Sequence, residues 1–366
     1  MNSKSINKRN ASLDILRIVS MFLIIMIHFQ GKTGWLRASD AVGLNSDWWL
    51  RWWILSFCNI SVNCYVMLSG YFLINSKFRL SKVITLWLKV FFWSVFIWGI
   101  CVFVFKDDVG IRQSLSAFLP ISTYEYWFIT NYIALYLFSP FINKLLLCLT
   151  RNQHRSLIIV SVVLFSIWTT IFGDVFNGHD GCNLLWFCTL YSIAAYIRLY
   201  GNDMVSKSKY IYLVTPFAVS VLYILIRYVC ILLDHPGTSE RFLPYASITC
   251  LIASYSFFRY FTLINVHPVK PISAIISFLS TTSLGVYLIH EHPLARPYLW
   301  SFVEDYIDGS SQYYIYYFSE MIITCLLIYM VCSLAEYLRI VMFTRVEKSK
   351  LVENISILIQ SKIYKD

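Results

Sequence analysis

The sequence predicts an all-α, polytopic integral membrane protein of about ten transmembrane helices, with both termini in the cytoplasm. Three observations carry this reading. The 366 residues are 58% hydrophobic and 18% aromatic but only 14% charged, whereas soluble domains carry about 25% charge. Ten apolar segments can be drawn, at about 13 to 31, 53 to 75, 83 to 105, 127 to 147, 156 to 173, 184 to 200, 210 to 233, 243 to 264, 272 to 292 and 313 to 340, each suited to a span of ~20 residues. With the N-terminus inside, twenty of the thirty Lys and Arg residues fall on cytoplasmic segments and seven on outer ones, while Arg17, Lys89 and Arg227 lie within helices. That asymmetry is the one that orients helices in membranes. The net charge of +10 therefore reflects topology, and no nucleic-acid partner is expected.

The first segment lacks a small-residue cleavage site and is expected to remain as a helix. It carries Asp14, Arg17 and His28, which at ~100° per residue share roughly a 60° sector of the helix. Ionisable groups at membrane depth are costly and mark function by default. Arg17 and His28 stand about 16 Å apart along the axis, so the stripe passes the midplane.

In the second segment Asn63 is polar in mid-helix, and Ser69-Gly70 lets a neighbouring backbone or a ligand approach. Arg79 and Lys82 follow at the cytoplasmic surface, where they are orientation signals or phosphate ligands. The fourth segment opens with Glu125, Trp127, Asn131 and Tyr132, candidates for packing or for lining a cavity. The loop 173 to 183 holds Asp174, His179 and Asp180, too few ligands on too irregular a loop to suggest a metal. The ninth segment ends in His290, Glu291 and His292, with Arg296 beyond Pro293. This is not HExxH, and histidines at i, i+2 face different ways, so no metal is expected; acid–base chemistry or an acceptor contact suits it better. His292 reads equally well as an interfacial histidine beside water, and His154 and His267 read as solvated loop residues.

The ten cysteines form no CxxC pair and read as small core hydrophobes. Trp48, Trp49, Trp52, Trp53, Trp127 and Trp186 read mostly as interfacial anchors. Residues 1–343 form one transmembrane domain, and residues 344–366 alternate lysines with apolar residues, as in a cytoplasmic amphipathic helix on the membrane surface. There is no GxSxG elbow, Walker A or Rossmann fingerprint, so the nucleophile is expected to belong to a substrate.

Four stretches together resemble the acyltransferase-3 family, many of whose members O-acetylate bacterial cell-surface glycans. They are LDILRIVSMFLIIMIH and VNCYVMLSGYFL in the first two segments, YWFITNYIALYLFSPFI in the fourth and TSLGVYLIH in the ninth. The family's arginine, ten residues and histidine fall on Arg17 and His28, and its last signature on Ser283, Gly285, Tyr287 and His290. Where many members have an aspartate this chain has Asn63, and where many have a second arginine it has Lys82, which keeps charge but loses the guanidinium fork.

The resemblance implies a multi-pass acyltransferase of the bacterial cytoplasmic (inner) membrane. It would move an acyl group, acetyl by family habit, from cytoplasmic acyl-CoA to a hydroxyl of a cell-surface or lipid-linked glycan, with membrane lipids as surroundings and no bound cofactor. On this view Asp14, Arg17 and His28 are catalytic, with Arg17 holding donor phosphate or carbonyl and His28 the general base. Arg79, Lys82, Ser69 and Gly70 bind the donor; Asn63, Trp127, Tyr287, His290 and Glu291 bind the acceptor. An exchange of roles between His28 and His290 is the nearest variant. A transporter or flippase, or a polymerase using lipid-linked sugars, remains the alternative class.

Overall fold

The computed structural model describes residues 10–36, 44–173, 176, 179–201, 208–308, 314–347 and 349–363. Among these there are helices and no strands. Those of eight or more residues are α1 (Ala11–Lys32), α2 (Ser46–Cys58), α3 (Ile60–Leu73), α4 (Leu80–Phe103), α5 (Ile111–Phe118), α6 (Trp127–Cys148), α7 (Arg151–Phe172), α8 (Leu184–Tyr200), α9 (Tyr210–Leu232), α10 (Ile248–Leu263), α11 (Lys270–His290), α12 (Ala295–Asp308), α13 (Tyr314–Glu347) and α14 (Lys350–Ile363).

Helix starts follow local chemistry. Asn10, Asn45, Thr150, Asn183 and Ser247 each accept a bond from the backbone N–H three residues on, capping α1, α2, α7, α8 and α10, which satisfies one of the orphan donors of a first turn. α2 and α3 join at Asn59 into one apolar stretch, Ser46–Leu73. α7 contains a π-helical turn at Val163–Ile167.

Among the described residues eight stretches are long and apolar enough to cross a membrane: α1, α2 with α3, α4, α6, α7, α9, α11, and α13 over Tyr317–Glu347. The expected sixth and eighth segments form α8 and α10, shorter apolar helices of 17 and 16 residues. At 1.5 Å per residue these reach about 25 Å, short of a ~30 Å hydrocarbon core. Both lie inside the bundle: α3 packs against α1, α8 and α10, and α1 against α11, which in turn meets α13. The outward faces carry large apolar side chains such as Phe96, Phe138, Ile171, Leu225 and Leu338, as a lipid-facing surface requires.

Several sequence expectations change. Trp48, Trp52 and Trp186 are buried in protein instead of sitting as interfacial anchors, because neighbouring helices pack over them: α9 over α2, and α3 and α6 against α8. Arg51, counted as an outer charge, is buried against Asp47 at 2.6 Å and under the faces of Trp35 and Tyr317. His154 is not a solvated loop residue: it is fully buried in α7, with Nε2 3.1 Å from both the carbonyl and the hydroxyl of Ser192. His267 is exposed in a loop as expected. All ten cysteines are free, six of them buried. Asp174 and the side chain of His179 lie outside the described residues.

Candidate active site

α1 and α11 place the ionisable stripe. Near the start of α1, Arg17 donates to Asp14 at 3.1 Å and to Ser280 of α11 at 2.9 Å, while Ser280 donates to Asp14 at 2.7 Å. Eleven residues farther along α1 and ten along α11, His28 Nδ1 lies 2.9 Å from His290 Nε2. The two helices therefore run parallel in register, and both ends of the stripe find partners on one neighbour. Tyr65 of α3 closes the gap between them through its hydroxyl, 3.0 Å from Ser283 Oγ.

The hydrogen-bond chain at the His28 end of the stripe fixes the protons. The carbonyl of Val286 can only accept, so His290 Nδ1, 2.6 Å away, carries hydrogen. In neutral His290 this leaves Nε2 with a lone pair, which accepts from His28 Nδ1–H. The basic nitrogen of His28 is then Nε2. Glu291 places Oε2 3.3 Å from His28 Nδ1, while its Oε1 accepts from Arg296 at 2.9 Å. An imidazolium formed on His28 would face a carboxylate already held in place.

The ligand-type atoms of His28, His290 and Glu291 all lie within 4.8 Å of one another. Two nitrogens on a tetrahedral ion at 2.0–2.1 Å stand about 3.3 Å apart; the observed 2.9 Å is a hydrogen bond.

His28 lines a narrow cavity of about 30 Å³ together with Tyr65, Trp127, Tyr245 and Tyr287, on the order of a single water. Trp127 stacks on Tyr245 at 6.0 Å between centroids. The structure thus gathers His28, Trp127, Tyr287, His290 and Glu291 around one point.

Asn63 stands apart from that cavity. It is fully buried, donates to the Tyr245 carbonyl at 2.8 Å and accepts from Trp186 Nε1 at 3.1 Å, bracing the wall behind Tyr245. Gly70 permits helix contact: a Cβ there would sit 2.6 Å from the Tyr191 carbonyl of α8. Ser69 donates to Tyr132 at 3.3 Å. Arg79 and Lys82 line a separate cavity of about 860 Å³ between α4 and α14. His292 is buried, with Nε2 donating to the Ser94 carbonyl and Nδ1 accepting from Leu294 N–H; burial lowers its pKa to about 4. Its reading as a histidine beside water does not hold.

A buried charge cluster not foreseen from the sequence joins α4 and α13. Glu336 of α13 accepts from Lys89 at 2.9 Å, from Trp93 at 2.7 Å, and from Arg339 at 2.9 and 3.0 Å. Its signal was an acidic residue inside the last apolar segment, of the kind singled out in the first. The same cluster explains Gly285, where a Cβ would meet Glu336 Cγ at 2.4 Å.

No curated protein and no solved structure matches the chain. A family model described as an acyltransferase domain, of the acyltransferase-3 type, matches residues 10–335. That span runs from the cap of α1 through Arg17, His28 and His290 almost to Glu336, and the chain accordingly belongs to the acyltransferase-3 family as a multi-pass membrane acyltransferase.

Proposed function

We propose that this protein transfers an acyl group, acetyl in the simplest case, from cytoplasmic acyl-CoA to a hydroxyl of a cell-surface or lipid-linked glycan, within a bacterial cytoplasmic membrane. The observation that carries the reading is the Val286–His290–His28 hydrogen-bond chain, which leaves His28 Nε2 as a base beside Glu291. His28 Nε2 takes the acceptor's hydroxyl proton as its oxygen attacks the thioester carbonyl. The tetrahedral intermediate then collapses, the C–S bond breaks, and His28 returns the proton to the departing CoA sulfur. His290 positions His28, because both its ring nitrogens are engaged within the protein. Trp127, Tyr245 and Tyr287 are the groups nearest an acceptor at His28.

Arg17 lies about 16 Å below His28 along α1, too far to hold the carbonyl under attack. Together with Asp14 and Ser280 it suits the polar pantetheine arm, while Arg79 and Lys82 suit the donor phosphates. Entry of the thioester requires the narrow cavity at His28 to widen, so the described conformation is a closed one.

Purified protein supplied with radiolabelled acetyl-CoA and candidate glycans should yield esterified sugar, and His28→Gln should lower that rate by about 10²- to 10⁴-fold. A properly inserted His28→Gln protein with wild-type activity would overturn the assignment. Glycan movement or elongation without ester formation would favour the transporter or polymerase reading.

A further inference from the structure

We propose that Lys89 is a third phosphate ligand of the donor site, held in reserve by Glu336 and surrendered to the phosphorylated nucleotide portion of acyl-CoA. The inference rests on the donor reading of the cavity between α4 and α14. Lys82 and Lys89 are two turns apart on one face of α4, and both line that cavity with Arg79. The three cations form a stripe from its rim inward, with about 10 Å between Lys82 and Lys89 along the helix.

Their partners differ. Among the described residues neither Arg79 nor Lys82 has a carboxylate partner, whereas Lys89 Nζ sits 2.9 Å from Glu336 Oε1. Glu336 does not depend on that contact. Arg339 grips both its oxygens in a fork, and Trp93 Nε1 donates to Oε2, so the carboxylate stays paired when Lys89 leaves. Lys89 is the movable member: its side chain is 15% exposed where those of Glu336 and Arg339 are 0% and 2%, and a lysine stem is flexible with a point charge at its end.

Two carboxylates also line the cavity, Glu347 and Glu353. Arg339 is shared between Glu336 and Glu347, the latter at 2.6 Å, and the cations Arg79, Lys82, Lys89 and Arg339 outnumber the carboxylates Glu336, Glu347 and Glu353 by one, which leaves the region net positive. A ligand bearing a pyrophosphate and a further phosphate presents enough negative charge to engage all three cations at once. The far side of the cavity is α14, tied to α4 by Gln360 Oε1 accepting from Leu80 N–H at 3.3 Å, so the C-terminal helix encloses the place where Lys89 would swing.

The test is CoA binding to the full-length protein in lipid nanodiscs, with pantetheine as the phosphate-free control. Lys89→Gln should weaken CoA binding at least tenfold and leave pantetheine binding unchanged, and Lys89→Arg should restore CoA affinity to within a few-fold of wild type. Because Lys89→Gln could disturb packing, amine-reactive footprinting of the wild-type protein supplies a second measurement: CoA should change Lys89 labelling several-fold and pantetheine should not. Equal CoA affinity in Lys89→Gln and wild type, equal losses for CoA and pantetheine, or Lys89 labelling indifferent to CoA would each overturn the proposal. Failure of the wild-type protein to bind CoA at all would instead overturn the donor reading beneath it.

Discussion

His28 and His290 lie 262 positions apart in the chain, yet a proton on one decides which nitrogen of the other is basic. The decisive atom is the Val286 carbonyl, a pure acceptor one helical turn before His290. Sequence spacing exposed His28, because a histidine on the same face as Asp14 and Arg17 in a bilayer-length helix is anomalous. It could not expose the pairing, since nothing in the order of residues says that α1 and α11 touch. Glu291 is the next residue to test. Glu291→Gln keeps the shape but removes the charge facing His28 Nδ1, and kcat should fall on the order of ten- to a hundredfold with KM little changed. Steady-state kinetics on the inserted protein would check it; an unchanged kcat would remove Glu291 from the mechanism. Asn63 carries the opposite lesson. A polar residue in an apolar helix looked like a ligand contact, and its amide is consumed in bracing Tyr245 and Trp186.

At the scale of elements, caps and apolar length were written locally and could be read locally. Which face of each helix meets protein was not, because a tryptophan in a short apolar stretch serves an interface with water or a core equally well. Trp186 became core once α8 was surrounded. His292 similarly became a tie between the end of α11 and the α4 backbone at Ser94. Its pKa of about 4 in the folded protein lies below its ordinary 6.5, so only the unfolded chain takes up a proton between those values. Its contribution is therefore fully present above pH 6.5 and is lost as pH falls toward 4, by up to about 3 kcal/mol. Thermal melting in detergent should show wild type losing more stability than His292→Gln across that window. Parallel curves for the two proteins would refute the role.

For the whole molecule, the parallel packing of α1 and α11 requires an odd number of crossings between them. Seven segments intervene in the ten-helix count and five among the eight long spans, so the packing fits either count and leaves both count and orientation to experiment. Cys148 is exposed at the end of α6, on a segment assigned to the cytoplasm, and Asp108 is exposed on one assigned to the outside. An impermeant maleimide should label Cys148 in inverted vesicles but not in intact cells. Asp108→Cys, with Cys148 replaced by serine, should show the reverse pattern. Labelling of both sites from one side would break the topology.

The sequence by itself determined the class of molecule and the stripe on α1, because hydropathy, charge asymmetry and helical period act over neighbouring residues, and four motif stretches carried the resemblance to its family. Only the tertiary structure decided that His290 orients His28, that Gly285 makes room for Glu336, and that Lys89 shares a cavity with Arg79 and Lys82. Each of these depends on the approach of helices far apart in the chain. Packing also separates two kinds of polar residue: those such as Asn63, whose amide is engaged by the chain itself, and those such as His28, whose Nδ1 is engaged by His290 and whose remaining nitrogen is the one proposed to meet a substrate.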